Sequence, residues 1–260
     1  VIITKEILMN ALKELGVEEE QHIMVHTSLS SFGSLISGGT QTVIESLLDS
    51  VGKKGTIMMP TQSWKNLDPE TGVHGEVTKD EAKIIRETWP AYNKKITPTN
   101  TMGSVAEMFR SYPGTNRSNH PSRSVAANGF YSQYFTSNHD LSDIFGLTSP
   151  LQKLYEKNGY VLLIGVGYDK NTSIHLADEL AKYPSKHTER HYSAVEENGV
   201  RVWQRYETLF VDGEDFEKIG EAFEKQFLVK NVTLGEAVIR LMPQRELVDF
   251  SVKWIEENRE

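Results

Sequence analysis

The chain has 260 residues, 38% hydrophobic and 25% charged, which suits one sizeable domain with a buried core. A formal charge of −8 argues against a nucleic-acid partner and favours a cationic small molecule, although acidity for solubility alone gives the same figure. The lack of cysteine excludes disulfides, thiolate metal sites and a cysteine-borne acyl intermediate and fits a reducing cytoplasm, and no apolar run has the length of a membrane span.

The opening residues place Ile7, Leu8, Ala11, Leu12 and Leu15 on one side of a predicted helix, without the layout of a signal peptide. "HIMVHTSL" (22–29) reads as a strand, followed by a Ser/Gly loop and a helix over 40–51. "GTIMMPTQS" (55–63) is a second strand, stopped by Pro60. Residues 64–98 are polar, contain three prolines and break the rhythm. They predict an excursion over the surface, either a rim of the site or a structural insertion. A helix over 101–112 comes next, then the polar segment "RSNHPSRSVAANG" (117–129). Beyond it lie a helix over 149–159, a third strand "GYVLLIGVG" (159–167) and helices over 216–226 and 245–260. The third strand is apolar throughout, as a strand buried on both faces must be. Strands alternating with helices predict an α/β fold with part of its sheet parallel, in a single domain over 1–260 carrying the excursion.

Two loops favour anions. In the first, Gly33, Gly38, Gly39 and Thr40 match the spacing of a nucleotide-binding P-loop, except that Gly39 stands where the phosphate-binding lysine belongs. A triphosphatase is therefore a poor reading. A strand-to-helix turn with free backbone N–H groups and the hydroxyls of Ser28, Ser30, Ser31 and Thr40 still suits a pyrophosphate. A glycine-rich turn capped by Thr40 that binds nothing accounts for the same residues. In the second loop, Arg117 and Arg123 can meet a phosphate, and Ser124, Ala126 and Ala127 are small enough for a ligand to approach closely. Solvated loop arginines are the plain alternative.

"GYDKNTSIHLADEL" places His175 just after the third strand, behind the cap formers Asn171, Thr172 and Ser173. In the first turn of a helix, Asp178 lies on the same face and can orient the ring. The positive end of a helix disfavours a cationic imidazole, which suits a general base. A histidine that caps or packs locally explains the same residues. His187 and His191 have the i,i+4 spacing of metal ligands on a helix, but Pro184 and the lack of an H-E-x-x-H pattern argue against it. His26 reads as support for the Ser/Gly loop. His22, His74 and His139 show no partner pattern, and no G-x-S-x-G elbow occurs.

Five segments, taken in order, resemble the aminoglycoside 3-N-acetyltransferase family. They are "VHTSLSSFGSLISGGTQTVIESLL", "GTIMMPTQS", "TPTNTMGSVAEMFRSYPGTNRSNHPSRSVAANG", "SPLQKLYEKNGYVLLIGVGYDKNTSIHLAD" and "RLMPQRELVDF", spanning residues 25 to 250. The resemblance implies a three-layer α/β/α domain with a central mixed, partly parallel sheet. It implies acetyl transfer from acetyl-CoA, as co-substrate, to the 3-amino group of a deoxystreptamine aminoglycoside or a related amine, with no metal. The loop with His26, Ser28, Leu29, Ser30 and Ser31 would hold the CoA phosphates. His120, Ser124, Val125 and Ala126 would follow the pantetheine arm, with Thr61 and Ser63 near the oxyanion. His175 matches the family's general base. The family usually carries glutamate where this chain has Asp178, one methylene shorter, so Asp215 and Glu217 stand as other candidates to orient the ring. A CoA-binding protein of the same fold without transferase activity, and a CoA thioester hydrolase, remain the alternatives.

Overall fold

The computed structural model of the chain describes residues 2–260. Three parallel strands form its centre. β1 (His22–Thr27) lies between β2 (Thr56–Pro60) and β5 (Tyr160–Ile164), with Ile23 opposite Ile57 on one side and Tyr160 on the other. Antiparallel strands extend both edges: β4 (Val125–Gly129) and the short β3 (Asn116–Arg117) beyond β2, β9 (Ala237–Pro243) and β8 (Lys230–Leu234) beyond β5. The order across the sheet is β3-β4-β2-β1-β5-β9-β8.

Side chains alternate across a strand, so one apolar run serves two cores. Ile23 and Val25 of β1 and Leu162 and Ile164 of β5 pack with α1 (Lys5–Leu15), α2 (Gly39–Val51) and α4 (Gly103–Phe109). Met24, Val161 and Leu163 face the opposite layer. That layer holds α5 (Ser132–Thr136), α6 (Pro150–Glu156), α7 (His175–Leu180), α8 (Phe216–Gln226) and α9 (Gln244–Asn258). The α/β/α layering and the mixed, partly parallel sheet are as the sequence implies. Local signals fix the helix ends: Thr4 accepts the Ile7 N–H at 3.3 Å to start α1, and Gly16, at φ 101°, ends it.

The excursion packs against an element the sequence reading lacks. β6 (Thr188–Glu197) and β7 (Val200–Leu209) form a ten-residue-per-strand hairpin apart from the main sheet. Against it lie short 3-10 turns at 64–66 and 69–71 and α3 (Lys79–Thr88), whose first turn Thr78 and Glu81 cap reciprocally. Leu67 bridges to Ser193, and the Tyr92 N–H donates to the Ala194 carbonyl at 2.8 Å. Arg201 donates to the carbonyls of Trp89 and Arg86, each at 2.5 Å. His187 and His191 are thus not on a helix. His187 stacks on Phe210 just before β6, and His191, on that strand, contacts Glu189 Oε1 at 2.8 Å. Among the described residues no cluster of three or more His, Asp or Glu side chains could hold a metal ion, and no helix is long and apolar enough to cross a membrane.

Candidate active site

Because β1, β2 and β5 run in parallel, the segments that follow them emerge at one edge of the sheet, where α/β folds collect ligands. A cleft of about 700 Å³ opens there. His26 lines it from β1, Ser28, Leu29 and Ser30 from the turn after β1, Met59 and Pro60 from β2, and Val166, Lys170 and Thr172 from the segment after β5. The Ser28 and Ser30 hydroxyls lie 3.2 Å apart, while Ser31 donates to the Ser28 carbonyl at 2.6 Å and braces the turn. Leu35, Ile36, Gly103 and Ser104 also line the cleft, next to the starts of α2 and α4. The turn into α2 needs Gly38, at φ 81°, and no side chain caps the helix. Thr40 is not the cap: it lies inside α2 and its hydroxyl donates to Ser104 at 3.5 Å.

His175 is the first residue of α7, delivered by 3-10 turns at 168–170 and 172–174 in which Asn171 Oδ1 accepts the Ser173 N–H at 3.1 Å. Its ring stacks on Phe145, centroids 4.5 Å apart, and meets the edge of Phe216 at 4.7 Å. Nδ1–H donates to Asp178 Oδ2 at 2.8 Å. Nε2 has no hydrogen-bond partner among the described residues, and the side chain keeps 17% exposure. The ring is therefore fixed on three sides and open at one nitrogen. Asp178, though shorter than glutamate, reaches it directly. Asp215 reaches it only through Arg259, which donates to Asp178 Oδ1 at 2.6 Å and to both Asp215 oxygens at 2.7 and 2.8 Å. Glu217 is engaged elsewhere, accepting the Asp169 N–H at 3.1 Å.

His26, the next-to-last residue of β1, is on the Met24 side, the layer that contains α7. Burial, reinforced by the nearby His175, depresses its pKa to about 3, so the ring is neutral. Its Nε2 is buried without a hydrogen-bond partner among the described residues.

The segment 117–129 is not a solvated loop. Arg117, only 4% exposed, donates to Ser124 Oγ at 3.0 Å, the Thr97 and Thr61 carbonyls at 2.6 Å each, and Ser63 Oγ at 2.8 Å. Its guanidinium also lies over Tyr92 at 5.2 Å. Burial lowers its pKa, and no carboxylate hydrogen-bonds to it. Arg123 donates to Gln62 Oε1 at 3.0 Å and lies over the Trp64 ring. His120 accepts the Ser122 and Arg123 N–H groups on Nδ1 at 3.3 and 3.0 Å. It packs 4.8 Å from His139, which the sequence leaves without a partner and the structure places between Ser118 Oγ and the Ile144 carbonyl, both at 2.9 Å. Thr61, Ser124, Val125 and Ala126 are buried with them. Both the N–H and the hydroxyl of Thr61 donate to the Ser124 carbonyl, at 2.9 and 3.2 Å.

The sequence-derived candidates therefore separate by position. His26, Ser28, Leu29 and Ser30 are on the cleft, and Ser31 is behind its turn. Thr61, His120, Ser124, Val125 and Ala126 form an internal strut at the end of β2 and β4, and they do not line the cleft. Sequence reasoning missed Arg259, Lys170 and the aromatic seat of His175. No local pattern signals the first, which lies 81 residues from the carboxylate it holds.

The family model described as aminoglycoside 3-N-acetyltransferase matches residues 24–256. The SPbeta prophage-derived aminoglycoside N(3')-acetyltransferase-like protein YokD of Bacillus subtilis (strain 168) is 41% identical over 256 residues, covering 98% of this chain and 93% of the relative. The YokD crystal structure superposes with a TM-score of 0.95 at 39% identity, over 99% of this chain and 95% of that one. AAC-IIIb in binary complex with CoASH superposes at 0.89 with 28% identity, over 100% and 98% of the two chains. AAC-VIa bound to sisomicin does so at 0.90 with 27% identity, over 100% and 99%.

Proposed function

Since the chain belongs to the aminoglycoside 3-N-acetyltransferase family, we propose that it moves the acetyl group of acetyl-CoA onto an amine of a 2-deoxystreptamine aminoglycoside or a related polyamine, with His175 as general base. The observation that carries this reading is the Asp178-bound His175, with Nε2 open, beside the ends of the parallel strands. AAC-IIIb binds CoASH and AAC-VIa binds sisomicin, which supports both substrates. Use of acetyl-CoA would place the enzyme in the cytoplasm, where that co-substrate is made.

The cleft fits CoA in shape and chemistry. Ser28, Ser30, the uncapped start of α2 and Lys170 offer donors and positive charge for phosphates. Met59, Pro60, Met102 and Val166 offer an apolar wall for the pantetheine arm. The bound acetyl thioester supplies the electrophilic carbon. Because Asp178 holds the Nδ1 proton, the base is Nε2. Nε2 takes a proton from the acceptor amine as its nitrogen bonds to the carbonyl carbon. The C–S bond then breaks, and Nε2–H returns that proton to the leaving thiolate, so the products are an amide and CoASH. With no cysteine to carry the acetyl group, direct transfer within a ternary complex is the simpler path. Phe145 and Phe216 hold the ring and keep water from its faces.

Carboxylates near the His175 cluster would suit a cationic acceptor. Glu179 lies close to Asp143, and burial followed by that neighbouring charge raises its pKa. Asp212 and Glu214 sit on the loop leading to α8. A polycationic acceptor would relieve the repulsion between Asp143 and Glu179. Asp68, by contrast, is occupied by Arg86 through two bonds of 2.8 Å.

The test is thiol release from acetyl-CoA with and without a panel of aminoglycosides. Release that requires an acceptor supports transfer. Acceptor-independent release indicates a thioesterase, and CoA binding without release indicates a binding protein. His175→Ala is expected to keep CoA affinity and lose about 10² to 10⁴ in rate, the usual contribution of a general base. Unchanged turnover in that variant rules out the assigned base.

A further inference from the structure

We propose that Arg259 is a positioning residue for the His175–Asp178 pair, and that with Asp215 it sets the pH range over which the base works. The inference rests on the reading of His175 as base. Its ground is a row of four hydrogen-bonded ionisable groups assembled from three elements: His175 and Asp178 on α7, Arg259 just after α9, and Asp215 just before α8.

Asp178 is fully buried, and its two oxygens have different partners. Oδ2 takes the imidazole Nδ1–H at 2.8 Å, and Oδ1 takes an Arg259 N–H at 2.6 Å. A short aspartate held only by the ring is free to rotate about its side chain. The second bond removes that freedom. Arg259 is itself fixed, since Nε and Nη2 grip Asp215 at 2.7 and 2.8 Å, its guanidinium lies over Tyr183 at 5.3 Å, and its backbone N–H donates to the Ile255 carbonyl at 3.0 Å. Its side chain and that of Asp215 are only 17% and 18% exposed, so solvent screens this contact less than an ordinary surface ion pair.

The electrostatic consequence follows from the order of charges. Asp178 pulls on positive charge in the ring through its Oδ2. Arg259 draws on the same carboxylate and weakens that pull, and Asp215 partly offsets Arg259. The other groups that face this cluster are His26 from β1, Asp143 and Glu179 with Lys186, and Tyr183, whose phenol is raised by burial and then by Asp178. None of these hydrogen-bonds to the His175 ring.

The experiment measures kcat/KM against pH for one aminoglycoside in the parent enzyme, Arg259→Gln, Arg259→Lys, Asp215→Asn and His175→Ala, with the His175 imidazole titrated in parallel by NMR. The acceptor's own ionisation is common to all variants, so differences between them belong to the enzyme. Arg259→Gln is expected to move the acid limb up by about one pH unit, the low end of a nearby-charge effect, because Arg259 acts on the ring through Asp178. Asp215→Asn moves it down by a smaller amount, and Arg259→Lys restores most of the parent profile. KM for acetyl-CoA stays within about twofold, because neither residue lines the cleft. A purely structural role lowers rate evenly and leaves the limb in place. An unmoved limb and an unmoved NMR midpoint in both Arg259→Gln and Asp215→Asn overturn the proposal. If His175→Ala retains full turnover, the base assignment fails instead, and the NMR midpoint alone decides whether Arg259 tunes the ring. Should Arg259→Gln not fold, the downward shift in Asp215→Asn carries the decision.

Discussion

Acidification of the unliganded enzyme between pH 8 and pH 5 should weaken it by about 4 kcal/mol through the buried imidazoles of His139 and His26, at about 2 kcal/mol each, with His120 acting in the same direction. His139 is pushed down to about 4 and His26 to about 3, in both cases chiefly by burial. His120 is driven well below its ordinary value by burial and then by His139. Hydrogen bonding agrees with the neutral form. His120 Nδ1 accepts two backbone N–H groups, and Ser118 Oγ, already accepting the Val125 N–H at 3.0 Å, has its own proton left for His139 Nδ1. A folded value below the unfolded one means that the unfolded chain takes up protons first. The stabilisation is complete above the unfolded value of about 6.5 and is lost as pH falls from there toward 4. At pH 5 each unfolded ring is almost fully protonated while each folded one is still neutral, so the figure depends little on the exact folded values. Against a typical total stability of about 5–15 kcal/mol, that loss is large. Urea unfolding at half-unit pH steps measures it. His139→Gln, whose amide can still donate to the Ile144 carbonyl, should show a fall smaller by about 2 kcal/mol. The reasoning is refuted if the variant keeps the parent slope, or if NMR finds His139 protonated in the folded enzyme at pH 5.

Two substitutions probe the supports of the site. Arg117→Met strips a donor from two carbonyls and two hydroxyls inside the strut, and about 4 kcal/mol of stability should go with them, at ~1 kcal/mol each, read by urea denaturation. A loss under 1 kcal/mol would mean that water reaches those acceptors. Gly165→Ala places a Cβ 1.7 Å from Ser31 Oγ at a backbone φ of +62°, so the Ser28–Ser31 turn must shift. It should cost about 2 kcal/mol and weaken CoA binding by calorimetry, and Ser31→Gly in the same chain should recover most of the affinity. Equal CoA affinity in Gly165→Ala would separate that turn from the CoA site.

The parts of the fold legible in the sequence are those whose signal is local. β1, β2 and β5 read as strands because burial on both faces demands unbroken apolar runs, and α1, α2, α8 and α9 because one face of each is apolar. The antiparallel strands were harder. In β4 only Val125 favours a strand, while Ala126, Ala127, Asn128 and Gly129 do not, and it exists because β2 offers it a free edge. The β6–β7 hairpin did carry a signal. Asn198 and Gly199, at φ 51° and 79°, form the kind of two-residue turn that matches strand twist, and the Asn-Gly pair between alternating apolar residues announces it. The i,i+4 spacing of His187 and His191 drew attention to a helical period that those residues do not have.

At the site the same division holds, with a sharper physical cause. His175 and Asp178 are three residues apart on one helical turn, so their contact follows from helix geometry alone. Asp178–Arg259 and Arg259–Asp215 are separated by 81 and 44 residues and exist only because α7, α8 and α9 converge in one layer. Arg117 shows the converse. Its sequence neighbourhood is that of a solvated loop, yet four neutral acceptors and an aromatic face make an interior cation tenable without a carboxylate. Aspartate in place of glutamate at 178 looks from sequence like a weakened dyad, since the side chain is one methylene short. The 2.8 Å contact shows that the shorter arm still reaches the ring, and Arg259 fastens its far oxygen. The reach of an orienting carboxylate is therefore a property of the packed helices that carry it and its partners, and residue type alone does not decide it.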